Sequence, residues 1–293
     1  MSAHGGAIPP ATREGQIKEQ GFRALLLGCL GISVLVLGVL LWDVLKDGLG
    51  QIDADFFGNF PSFNPAKAGL QSALTGSLWL MGVCAAFIVP VGVATAVYLE
   101  EYADRDRWWN RLIEVNIQNL AAVPSIVYGI LGLAFLVRGP LSLGRVILAG
   151  ALTLGLLVLP VVIIAGREAI RAVPSSIREG SMALGATQWQ TIWKQVLPAA
   201  IPGIATGVIL ALSRAIGETA PLILVGAASF VAFNPTGLDS GFTALPLQIF
   251  EWIQRPQPEF KLLAAGAIIV LLALLMSMNA VAIWLRNRYE QKW

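Results

Sequence analysis

Six long apolar stretches constrain this chain more than anything else in it. Ala24–Trp42, Ala68–Leu99, Val115–Val137, Val146–Gly166 and Leu262–Leu285 contain no Asp, Glu, Lys or Arg. A sixth, Gln195–Leu238, contains only Arg214 and Glu218. About 20 apolar residues suffice for a helix to cross a bilayer, so the pattern predicts an all-α membrane protein with six transmembrane helices. Ala68–Leu99 is longer than one span and shorter than two. Its Pro90 and repeated glycines predict one long or kinked helix with an interfacial start. Composition agrees: 13% of residues are charged, against about 25% in a soluble domain.

Charge placement then gives an orientation. With six spans, Arg13, Lys18, Arg23, Arg105, Arg107, Arg111, Arg167, Arg171, Arg178, Lys194, Arg286, Arg288 and Lys292 fall on one side. Lys46, Lys67, Arg138, Arg145, Arg255 and Lys261 fall on the other. The positive-inside bias makes the first side, with both termini, cytoplasmic. The segments around 43–67 and 228–260 face outward. The expected division is a disordered polar cytoplasmic segment at 1–22, a first helix with its outer loop at 23–67, a transmembrane domain at 68–288 and a cytoplasmic tail at 289–293. No small-residue cleavage pattern follows LWDVLKDGLG, so the first helix reads as a retained anchor.

Several function classes drop out. A net charge of +2 gives no reason to expect a nucleic-acid partner. Cys29 and Cys84 lie in apolar runs and read as buried thiols, and His4 is the single histidine, so neither a metal site nor a cofactor is expected. No lysine follows a glycine, which rules out a GxxxxGK[ST] phosphate loop. Energy from ATP must come from another chain.

Two regions carry the functional signal. Arg167–Ile204 is long for a connector. Pro174 starts a helix, with Ser175 or Ser176 as cap and Glu179 in the first turn. Gly185 fits a helix end or tight turn. TQWQTIWKQVL places Trp189, Ile192, Trp193 and Val196 on one face of a second short amphipathic helix, and Pro198 and Pro202 mark the start of the next span. Such a pair of helices suits either the lipid surface or a partner's groove. The second region is LSRAIGETAP. Arg214 and Glu218 are four apart and able to pair, yet a charge at a helix centre costs about 2.5–3.5 kcal/mol on insertion scales. Pro221 should kink or break the helix just beyond them. The break could aim backbone amides at an anion, with Ser213 and Thr219 supplying hydroxyls. The planar fork of Arg214 suits a tetrahedral oxyanion, which makes the pair a candidate anion gate. A salt bridge that only fixes helix packing is the alternative.

These motifs carry a resemblance. Glu179, Gly185 and Leu197–Pro198 resemble the EAA loop of ABC-importer permeases, although Gly180 and Ser181 replace two alanines and Gln195 replaces an isoleucine. RAIGETAPLI, with NLAAVPSIVYGILGL, YLEEYA and TALPLQIFEWIQRPQPEF, is similar to the permease subunits of the phosphate-specific ABC importer, of PstA type rather than PstC type. The resemblance covers residues 70–285 and implies a type I permease (MetI-like) fold. It implies that Glu179, Gly180, Ser181, Gly185, Leu197 and Pro198 couple to an ATP-binding subunit dimer. It also implies that Pro124 and Ser125 line the path beside the Arg214 helix, where the residues alone read equally well as a helix cap with a Pro kink. Segment 242–260 becomes a lid at which a periplasmic or lipid-anchored phosphate-binding protein docks. The implied substrate is the phosphate ion and the implied setting the lipid of a plasma (inner) membrane. Another oxyanion, sulfate or molybdate, is the nearest rival. A membrane-embedded hydrolase using Glu218 as base is disfavoured, because no Ser/His, Asp/Asp or HExxH arrangement accompanies it.

Overall fold

The computed structural model describes residues 13–104, 106–227 and 230–289. Among these residues it is helical with no strand. In chain order the helices are α1 (Arg13–Gly48), α2 (Ala54–Gly58), α3 (Gln71–Val97), α4 (Trp108–Ala121), α5 (Ser125–Leu131), α6 (Ile147–Arg171), α7 (Ser175–Ala183), α8 (Gln188–Thr191), α9 (Leu197–Gly217), α10 (Ala220–Val225), α11 (Leu245–Gln254) and α12 (Pro258–Tyr289).

The centre is α6, flanked by α3 and α9, with α12 packed on α9. Leu80, Cys84 and Ile88 of α3 meet Leu154, Val158 and Val162 of α6 and Ala211 and Ala215 of α9 in one buried cluster. Small residues bring these helices together, as expected where lipid supplies no hydrophobic drive for association. Gly203 and Gly207, four apart on α9, face Ala169 and Ala165 of α6; a Cβ on Gly203 would sit 2.6 Å from that of Ala169. Above this core, small polar residues of α3 hold the long segment between α10 and α11. Ser72 donates to the Val231 carbonyl at 2.7 Å, Thr75 donates to Asn234 at 3.0 Å, and Ser77 accepts from Leu245 N at 2.9 Å.

Five helices are long and apolar enough to cross a membrane. The single-helix reading of Ala68–Leu99 holds: α3 runs through Pro90 and closes in a π-helical turn, Tyr98–Tyr102. Val115–Val137 is different. Expected as one span, it is two arms, Trp108–Ala121 and Ser125–Val137, bent by 107°. The cause lies at Val123–Pro124, where a residue before proline is pushed out of the α region and Pro124 itself takes ψ 137°. The sixth span exists only if this bent pair counts as one.

Two smaller expectations shift. Helix α1 already starts at Arg13, inside the segment expected to be disordered; residues 1–12 and 290–293 lie outside the described residues. Cys84 is buried, but Cys29 is exposed and both are free thiols. The exposure follows from α1, which leans on α12 where a Cβ on Gly48 would come within 2.6 Å of the Ala265 backbone. Elsewhere it presents Leu26, Leu30, Leu37 and Trp42 outward.

Candidate translocation gate and coupling hairpin

Helix α9 ends where the charged pair begins. Arg214 occupies its last turn, Gly217 is its final residue, and Glu218 turns extended (φ −80°, ψ 111°) before α10 starts with Pro221 near its N-terminus. The expected break is therefore real, but it falls at Glu218 itself and not beyond it. The carboxylate still folds back on the guanidinium, with Nε and Oε1 3.6 Å apart. Seventeen residues separate Arg214 from the start of α9, about 25 Å of rise, so the pair lies at the end of the helix away from the hairpin. Its side chains are 44% and 21% exposed. A half-exposed pair contributes about 0–1 kcal/mol, less than the insertion cost of the charges. Stability does not explain it.

The other predicted gate residues distribute unevenly. Ser213 Oγ donates to Asn279 Oδ1 at 2.9 Å, so it ties α9 to α12. Thr219 is the residue before α10, and its hydroxyl makes no capping bond. Helix α10 has six residues, too short for its N-terminus to serve as an anion site. Pro124 caps α5 and Ser125 is its first residue, so the helix-cap reading is structurally correct. The arm they start nevertheless reaches the charged break. A Cβ on Gly129 would lie 2.7 Å from the Pro221 Cα, and one on Gly132 would lie 3.0 Å from Val225. Tyr128 donates to the Leu120 carbonyl at 2.9 Å, bracing the bend. The fold thus sets PSIVYG directly against GETAP, two motifs far apart in sequence.

At the opposite end of α9, residues 175–196 form a hairpin. Helix α7 begins at Ser175 with Pro174 in the cap position, so no serine caps it, and Glu179 falls beyond the first turn. The capping box appears one helix later, between Thr187 and Gln190. Gly185 has φ +87°, a left-handed conformation that glycine reaches without penalty. The second arm is not a separate helix. Gln188–Gly217 runs continuously, passing from α8 through a π-helical turn, Ile192–Val196, into α9. Pro198 and Pro202, which cannot donate to the preceding turn, sit within that continuous run. Glu179, Gly180 and Gly185 are exposed, and Ser181 Oγ lies 2.9 Å from Thr191 Oγ1, holding the two arms together. Leu184 at the tip is 91% exposed, beside exposed Met182, Trp189 and Trp193.

What anchors this hairpin was not legible as a site. Arg178 Nη2 lies 2.7 Å from Glu101 Oε1 and also donates to the Ile170 carbonyl at 2.9 Å, while Nη1 donates to that of Val173 at 2.7 Å. Gln188 reaches the Glu101 carbonyl at 2.7 Å. Beside them Glu100 receives Arg171 at 3.0 Å and Arg167 at 3.6 Å, and Arg167 also meets Glu114 at 2.8 Å. The two glutamates of YLEEYA end the α3 span, so one cluster joins α3, α4, α6 and α7. The only sequence signal was a carboxylate pair at a helix end, facing arginines some 70 residues later.

Long apolar helices, a charged break within one of them and a hairpin at one end make this a multi-pass membrane protein of the transport-permease class. Residues 88–293 match the family described as binding-protein-dependent transport system inner membrane component, and the chain belongs to it. A phosphate transport system permease protein, PstA 1, of Mycobacterium tuberculosis is 34% identical over 94% of this chain and 91% of its own. PstA of Haemophilus influenzae is 32% identical over 86% and 89%. A permease of the bacterial alginate ABC transporter, solved with an alginate-bound periplasmic protein, aligns at TM-score 0.64 with 16% identity, covering 92% of this chain and 96% of that one. The inward-facing MetNI methionine ABC transporter aligns at 0.61 with 16% identity, covering 76% and 98%. The fold is that of the type I, MetI-like importer permeases.

Proposed function

We propose that this chain is the transmembrane permease subunit of an ATP-driven importer that carries inorganic phosphate into the cytoplasm. The observation that carries the reading is the Arg214–Glu218 pair at the α9–α10 break, in a chain about one-third identical to phosphate permeases along most of its length. Glu218 holds the guanidinium fork while the path is empty. An entering phosphate competes for that fork with two or three charged oxygens, and charge-assisted contacts of this kind are the strong ones. Because the pair is half exposed in the isolated chain, the opposite wall comes from a second permease of PstC type. Pro124 and Ser125 border this path. Ser213 and Thr219 belong to its lining through the helix ends they occupy.

The chain itself is not catalytic. The exposed tip of the 175–196 hairpin docks in an ATP-binding subunit dimer through Glu179, Gly180, Ser181 and Gly185, and Leu197–Pro198 pass its motion into α9. A phosphate-binding protein delivers substrate at the opposite end, where α11 presents Phe250 and Ile253. Both termini face the cytoplasm. Alternating access is then an equilibrium biased by nucleotide bound on the partner.

Uptake of labelled phosphate by the whole importer tests this. Arg214→Gln should assemble, retain ATP hydrolysis stimulated by the binding protein, and move no phosphate. Normal uptake by that variant overturns the gate. Competition by sulfate as effective as by unlabelled phosphate overturns the substrate.

A further inference from the structure

At the end of the molecule away from the hairpin lies a cavity of about 600 Å³ with two arginines, Arg138 and Arg145, in its wall. Arg138 follows the π-helical turn that ends the bent arm, and Arg145 precedes α6. Neither has a hydrogen-bond or ion-pair partner among the described residues, and no carboxylate lines the cavity. Arg107, Arg167, Arg171, Arg178, Arg214 and Arg255 are each paired to an acid. Arg138 and Arg145 are instead exposed and unpaired among the described residues, as are Arg23, Arg111, Arg286 and Arg288. What sets the two apart is that they share one cavity. Phe230, Phe233 and Leu133 also line it, and low-dielectric walls focus a field of one sign.

Arg138 caps the C-terminal end of the bent arm, where a cation suits the helix dipole, but helix-end chemistry does not account for Arg145 beside it. The nearby α6 N-terminus is already served, since Ile147 N and Leu148 N donate to the carbonyls of Ser240 and Leu238 at 3.0 Å. At the end of α10, Gly226 N and Ala227 N bond the Leu222 and Ile223 carbonyls at 3.0–3.2 Å, leaving those carbonyls no need of a guanidinium. What the end of α10 does provide is room. Gly226 takes φ +92°, and a Cβ there would meet Arg145 Cδ at 2.6 Å, so the Arg145 stem lies across a surface that only glycine leaves open.

We propose that Arg138 and Arg145 form an outer seat for a doubly charged tetrahedral oxyanion, which holds phosphate between delivery and the Arg214 gate. Helix α10 separates the two: Glu218 precedes its start and the cavity surrounds its end, six residues or about 9 Å on. An ion released at the outer end therefore meets two unpartnered guanidinium groups before it meets one occupied by a carboxylate. The seat rests on the phosphate reading given above, but a phosphate headgroup of a lipid offers the same chemistry, and the test separates the two sources.

The importer, reconstituted with its partners in vesicles of zwitterionic phosphatidylcholine, is assayed for phosphate moved per ATP hydrolysed. The binding-protein concentration giving half-maximal ATP hydrolysis is measured alongside. Arg138→Gln/Arg145→Gln should lower phosphate per ATP about tenfold, equivalent to about 1.4 kcal/mol, with the half-maximal concentration unchanged. Arg138→Lys/Arg145→Lys should recover most of the ratio, because charge is kept while the fork is lost. An unchanged ratio overturns the seat. So does a shift confined to the half-maximal concentration, which would make the arginines a docking contact for acidic side chains. A loss seen only when anionic lipid is added would assign the pair to headgroups and equally overturn it. If the unmodified importer moves sulfate and not phosphate, the function above fails, and the same variants then test the seat with sulfate.

Discussion

Replacing Arg178 by Met tests how hairpin motion reaches the membrane helices. The guanidinium of α7 touches both Glu101 at the end of α3 and the Ile170 and Val173 carbonyls at the end of α6. Methionine keeps much of the stem's packing and removes all three contacts. Arg178 is 21% exposed and Glu101 9%, so solvent replaces the lost partner poorly. Breaking a buried pair by removing one member costs about 3–5 kcal/mol; the partial exposure here brings that down to about 3 kcal/mol. At 1.4 kcal/mol per factor of ten, about two powers of ten are lost from the preference of α7 for its seated position. The importer should still assemble and hydrolyse ATP, but phosphate moved per ATP should fall at least tenfold. A double-mutant cycle with Glu101→Gln isolates the pair and should give a coupling of about 1–3 kcal/mol. Phosphate per ATP within twofold of the unmodified protein, or a coupling below about 0.5 kcal/mol, refutes the reasoning.

Three further outcomes follow from the same geometry. Gly129→Val drives a side chain into the backbone of Pro221, which should destabilise the α5–α10 contact by about 1–3 kcal/mol, read as a lower midpoint of thermal unfolding in detergent. At Gly185 space is free and only the backbone is constrained, so Gly185→Asn should retain most coupled uptake while Gly185→Val loses it, a β-branched residue tolerating φ +87° far less well than Asn. Glu179 is exposed with no partner among the described residues, so Glu179→Lys should leave unfolding unchanged yet separate ATP hydrolysis from uptake. A fall in stability matching the fall in uptake would place its role inside the chain and not at an interface.

The sequence was sufficient for five of the six expected membrane spans, the pairing of Arg214 with Glu218 and the turn at Gly185. Each is a local property: hydrophobic length, a four-residue spacing, and the freedom of glycine at positive φ. It was insufficient for Pro124 and Pro202, whose effects depend on packing. Pro90 and Pro202 lie inside continuous helices, whereas Pro124 marks a bend of 107°, because neighbouring helices decide whether a weakened turn stays in line. Tertiary structure alone brought Gly129 against Pro221, Arg178 against Glu101, and Arg138 and Arg145 around one cavity. Those contacts join residues separated by up to about 90 positions, and no periodicity or spacing encodes them. They come from helices that small residues allow to approach closely, which leaves charges to meet one another across the fold.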